Sequence, residues 1–192
     1  MNANNTNTIN ISSSAVLVDL SISVWTGRKQ DKKVSAEIDA DKHTTVRAGN
    51  YHKALMAGAR ELEDINKEAA GIRMWHTTHT LPWSDTGTRL LPTAKLFDYK
   101  AELTQKEQRF NALVNDFLNA YDMLVQAAQF RLGALFNADE YPSRDIIARK
   151  FDFRYVFSPV PEAGDFRIDI GNEGLADPVS YTHLTLPTIL LV

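Results

Sequence analysis

Between about residues 93 and 139 the chain keeps a helical rhythm: Leu96, Leu103, Phe110, Phe117 and Leu124 recur every seven residues, and Leu113, Ala120 and Ala127 fill the row three positions on. The segment has no proline and a single glycine, Gly133. Spacing of this kind predicts one long helix with a core-facing seam. At 1.5 Å per residue it would run about 65–70 Å, roughly twice the width of a small domain, so it needs a partner along its length. A second helix is predicted over about 46–79, where Tyr51, Leu55, Gly58, Leu62, Ile65, Ala69 and Ile72 step by three or four along one face. The stretch between the two, with Pro82, Pro92 and Ser84-Asp85-Thr86-Gly87, reads as a structured loop. Trp75 and Trp83 give it more apolar surface than a plain linker carries. The two helices are expected to form an antiparallel hairpin, Gly58 and small Ala residues allowing close approach.

Alternation replaces the helical period elsewhere. Over about 15–26, Val16, Val18, Leu20, Ile22 and Val24 face one way and Asp19, Ser21 and Ser23 the other, a half-buried strand that Gly27 ends. Phe151, Phe153, Tyr155 and Phe157 alternate over 151–157, and Phe166, Ile168 and Ile170 over 165–170. Ser143 can cap a short helix before them. The expected fold is therefore α+β and mainly α, the hairpin resting on an antiparallel sheet of about three strands.

Composition narrows the function more than it defines it. With 192 residues, 44% apolar and 23% charged, the chain suits one domain and not two independent cores. Residues 1–14, almost all Asn, Thr and Ser, are expected to be a disordered arm; 15–178 form the domain. Residues 179–192 change composition abruptly. They resemble the tail of translated environmental reads that run into adapter DNA, and are expected to be non-native or disordered. A formal charge of -3 and a pI near 5.9 give no general attraction to nucleic acid or anionic membrane. The absence of cysteine excludes disulfides, thiolate catalysis and Cys-ligated metals. No apolar run approaches the roughly 18–20 residues of a membrane span, so no membrane partner is expected.

Few residues offer chemistry. His76 and His79 stand one helical turn apart with Asp85 shortly after, a weak candidate metal set that lacks the glutamate of zinc hydrolases; buried, hydrogen-bonded histidines explain it as well. Arg28, Lys29, Lys32 and Lys33, with Arg144 and Arg149 further on, are weak candidates for nucleic-acid contact, against the plainer reading of a solvated loop over 28–45. Interleaved aromatics for base stacking are absent there. No Gly-rich phosphate loop or GxSxG elbow occurs. No catalytic residue, cofactor or small-molecule substrate is expected.

The stretch LVDLSISVWTGRK, in which a strand runs into Trp25-Thr26-Gly27-Arg28-Lys29 ahead of a long charged helical region, resembles a group of phage and mobile-element proteins, domain of unknown function 3150. The likeness extends over the first strand, the helical middle and FDFRYVF. It implies a phage or prophage gene product in the bacterial cytoplasm and hands over no active site. At its C-terminus the chain departs from the group's pattern, which implies a further helical segment there. The functional expectation is a non-enzymatic protein that binds a protein partner or a second copy through its long helices; the alternative is a nucleic-acid-associated factor using the basic residues.

Overall fold

The computed structural model describes residues 11–161. In chain order its elements are α1 (Ile11–Ser14), β1 (Ala15–Ser23), β2 (Arg28–Gln30), α2 (Lys32–Asp41), β3 (His52–Ala54), α3 (Arg60–His79), β4 (Leu81–Pro82), β5 (Arg89–Pro92), α4 (Leu96–Leu132), α5 (Arg144–Ala148) and β6 (Asp152–Pro159). Single 3-10 turns sit at Thr93–Lys95, Gly133–Leu135 and Ala138–Glu140. The architecture is α+β, as the periodicities predict. The strand expected over 165–170 and the tail over 179–192 lie outside the described residues.

β1 is the centre of a four-stranded antiparallel sheet ordered β4-β5-β1-β6. Its register sets Val18 opposite Arg89 and Phe157, Leu20 opposite Tyr155, and Ile22 opposite Phe153. Paired residues share a face, so this register makes one apolar surface that packs on the helices. The far face is not wholly polar: Ala15, Leu17 and Val160 are buried there under Trp83 and Leu90. A second, two-stranded sheet pairs β2 with β3.

α3 and α4 run antiparallel. His76 meets Tyr99, Glu68 meets Arg109 at 3.0 Å, and Ala57, just ahead of α3, accepts a hydrogen bond from Arg131 at 3.0 Å. Tyr99, Leu103, Phe110, Val114, Phe117, Tyr121 and Ala128 are the buried side chains of α4. Leu62, Ile65, Ala69 and Ile72 oppose them from α3. Beyond the start of α3 other elements take over the covering. Trp25 lies 6.2 Å from Phe117 and 6.3 Å from Tyr121, and Phe151 lies 5.7 Å from Phe117, ring centre to ring centre.

Four expectations are corrected. The first helix begins at Arg60, not near residue 46. Gly58 takes φ +73°, a conformation that breaks a helix, and Leu55, Met56 and Ala59 reach the core from a turn instead. The segment after Gly27 is not a plain loop: Asp31 caps α2, its carboxylate accepting from the backbone N–H of Lys33 and Val34 at 3.1 Å. The connection between the helices contains β4 and β5, joined through the Ser84–Gly87 turn, which brings the sheet to four strands. Ile11–Ser14, within the segment read as an arm, form one helical turn.

Gly27 is favoured first by its backbone conformation. It has φ +59°, and a Cβ there would stand 2.9 Å from Leu62 Cδ2.

Two phenylalanines of α4 separate the covered side from the open one. Phe117→Ala should cost about 3–5 kcal/mol in urea unfolding, because its ring is fully buried. Phe130→Ala, 88% exposed, should change stability by less than about 0.5 kcal/mol. Equal effects would contradict this packing.

Candidate functional site

Three places concentrate polar chemistry or uncovered apolar surface. The first is the C-terminal end of α3. His76 is buried on the face turned to α4, and its Nδ1 shares a 2.5 Å hydrogen bond with the Tyr99 hydroxyl. Burial lowers the His76 pKa to about 4, helped by the nearby Arg89, while Asp19 pulls weakly the other way. Burial also raises the Tyr99 phenol above its ordinary range. Both groups are neutral at pH 7, so the bond joins an uncharged imidazole to an uncharged phenol.

Arg89 closes the end of α3. It donates to Thr80 Oγ1 at 2.6 Å, to Thr77 O at 3.0 Å and to Thr80 O at 2.9 Å. A cation here satisfies orphan carbonyls and complements the helix dipole. Trp75 stacks between Tyr99 at 4.6 Å and His79 at 5.0 Å, with Lys106 Nζ 4.8 Å from its ring centre.

This arrangement keeps the metal candidates apart in character. His76 is buried and bonded to Tyr99. His79 is exposed, its Nδ1 2.8 Å from Trp75 O, and Asp85 is exposed in the turn between β4 and β5. Among the described residues no group of three His, Asp or Glu is placed to hold a metal. A histidine protonating near pH 4 beside a phenol pushed upward is also far from the near-neutral pKa that general acid–base catalysis favours.

The second place is the small module of β2, α2 and β3. Its anchor is Lys53, buried, with Nζ 2.7 Å from Glu140 Oε2 and 3.1 Å from Asp31 Oδ2 while donating to Leu135 O at 2.8 Å. Burial alone would lower the lysine pKa, but its hydrogen bonds to Glu140 and Asp31 outweigh this and hold the ammonium above its usual value. The Asp31 carboxyl is held below its ordinary value, first by the Val34 N–H and then by Lys53. With two carboxylates and a carbonyl around its ammonium, Lys53 ties α2 and β3 to the chain after α4.

Outward from this anchor, Arg28 and Lys29 on β2 and Lys32 and Lys33 in the first turn of α2 are all exposed. The structure thus gathers these four on one module. Arg144, by contrast, donates to Asn119 on α4 at 2.7 Å. Between residues 28 and 54, seven Lys and Arg stand against four Asp and Glu, opposite in sign to the whole chain.

The third place is the outer side of α4. Met123 is 69% and Phe130 88% exposed, with half-buried Ala120 and Ala127 beside them. Lys53, Tyr99 and Arg89 could not be singled out from the sequence, since each gains its role from a distant partner. Met123 and Phe130 did carry a signal, two large apolar residues seven apart beside the buried seam.

Two shallow depressions lie elsewhere. One of about 350 Å³ is lined by Ile38, Asp39, Lys42, Ala48 and Tyr51, and one of about 420 Å³ by Asp19, Ser21, Arg154 and Val156. Neither includes the histidines. Among the described residues no helix is long and apolar enough to cross a membrane.

Because His76 stays neutral when folded, the unfolded chain binds a proton between pH 6.5 and about 4 that the folded chain does not. Stability should therefore fall by about 2–3 kcal/mol as pH drops through that window, measured by urea unfolding at set pH. His76→Gln should flatten this slope; an unchanged slope would contradict the assignment. Asp31, with its lowered pKa, acts in a separate window, below pH 3.8. Lys53→Met should cost about 3 kcal/mol by leaving two carboxylates without their cation.

No family model, curated protein or solved structure matches the chain, so its functional reading rests on this geometry.

Proposed function

We propose that this chain acts non-enzymatically, through protein–protein interaction or assembly on its long helices, as an accessory protein of the phage or prophage setting that the resemblance implies. One observation carries the reading: α4 is 37 residues long and α3 only 20, and where α3 ends the outer row of α4 continues apolar and bare. Glu68 of α3 reaches Arg109, and in the same row, past the exposed Asp116, stand Met123 and Phe130, two and three heptads on. Contiguous exposed apolar surface of this kind is a docking feature more often than an accident. The polar clusters support the same view, because His76–Tyr99 and Lys53 with its carboxylates are closed on themselves and hold the fold together.

The basic module favours a second reading, a nucleic-acid-associated factor. Arg28, Lys29, Lys32 and Lys33 present charge that the rest of the chain does not. Binding of this type would weaken steeply with salt and fall when those four residues become Gln. Salt-independent binding, or binding untouched by the substitutions, would dispose of it.

The first reading is tested with the full chain carrying Met123→Glu and Phe130→Glu. Wild type should either exceed its monomer mass in light scattering or retain a defined partner from infected cells. The double variant should lose that association with a thermal midpoint within about 2 °C, since both side chains are exposed. Undiminished association would overturn the reading.

A further inference from the structure

We infer that the bare row of α4 is the seam of an antiparallel pair formed with a second copy of this chain. The inference rests on the interaction reading above and specifies its partner. Ala120, Met123, Ala127 and Phe130 are spaced three, four and three, the interval of a helix–helix seam, and they alternate small and large. Placing two α4 helices antiparallel with Met123 opposite the second copy's Ala127 also sets Ala120 opposite the second copy's Phe130. Two-fold symmetry repeats both layers. Every large side chain then meets a small one, and the alanines let the helix axes come close.

Self-complementarity is what a two-fold interface needs and what a foreign helix does not require. The flanks agree. Asn119 and Gln126, beside the row, are uncharged, and the Arg144 guanidinium that borders them is held by Asn119 Oδ1 at 2.7 Å. Arg131 on the other flank is turned to Ala57 O of its own chain. The row is also open for a geometric reason. Glu68 and Arg109 fix the alignment of the two helices, which sets the start of α3 opposite Phe117, so the 15 residues of α4 beyond it lack that neighbour. Four layers make a small seam beside the roughly 1,200–2,000 Å² of a stable interface, so the pair should depend on concentration.

The chain has no cysteine, and introduced thiols therefore report without background. Full-length Met123→Cys and Ala127→Cys chains, distinguished by size, are mixed and oxidised. The antiparallel register predicts that the mixed disulfide exceeds either like-with-like product by fivefold or more. A mixed product at or below the twofold excess that random pairing gives would overturn the inference. Sedimentation of the unmodified chain should show a concentration-dependent dimer whose dissociation constant rises at least tenfold in Phe130→Glu. A monomer at every concentration would overturn it too, including the case in which another segment of the chain or another protein covers the row. The interaction reading would still stand in that case if Phe130→Glu abolished retention of a defined protein partner, and would fall with it if retention were unchanged.

Discussion

A helix of 37 residues with apolar side chains along one face cannot remain in water on that face, and the way this chain covers it sets the positions of nearly everything else. Leu103, Phe110 and Phe117 are essentially inaccessible, and each contributes about 2 kcal/mol by its removal from water. The covering comes in sections. α3 lies along the first half, the inner face of the sheet brings Phe153 and Phe157 to the same core, and Trp25, Tyr141 and Phe151 close over the second half. β1 carries the longest pairing of the sheet, with β5 on one side and β6 on the other, while sending Val18 and Ile22 to the helices.

Much of this was legible in the sequence where one residue pattern had one structural meaning. The seven-residue recurrence from Leu96 to Leu124 specified α4, and the alternation of Val16 to Ile22 and of Phe153 to Phe157 specified β1 and β6. Two overlapping patterns hide the break ahead of α3. Tyr51, Leu55 and Gly58 step at helical spacing, yet Gly49, Asn50 and Gly58 interrupt the helix; Leu55 is buried from a turn, and Tyr51, just ahead of β3, lines the depression beside Ile38. α2 has no apolar stripe to find, and its signal is the Asp31 cap alone. β4 and β5 are too short for alternation to announce them; the Ser84–Gly87 turn was the visible part. The roles of Lys53 and Tyr99 were not legible, because they depend on Glu140 and His76, 87 and 23 residues away in the chain.

The buried polar groups share one logic. An ammonium or imidazole taken out of water must be fully bonded or neutral. Lys53 meets the first condition with two carboxylates and a carbonyl, and His76 the second by remaining unprotonated against Tyr99. Both joints sit where elements of different origin meet: Lys53 fastens the β2–α2–β3 module to the end of α4, and His76 fastens the end of α3 to the start of α4. They fix geometry and leave outward surface, the basic module on one side and the Met123–Phe130 row on another, as the features that remain for encounter with other molecules.

The central claim, that a single continuous α4 is the spine on which the other elements are laid, is tested most directly by native-state hydrogen exchange resolved along that helix. The account predicts slow exchange in an unbroken run from Tyr99 to Ala128, of the same order as β1, because the buried face changes its covering elements without a gap. Protection confined to the half beside α3, with amides beyond Phe117 exchanging like a frayed end, would contradict it.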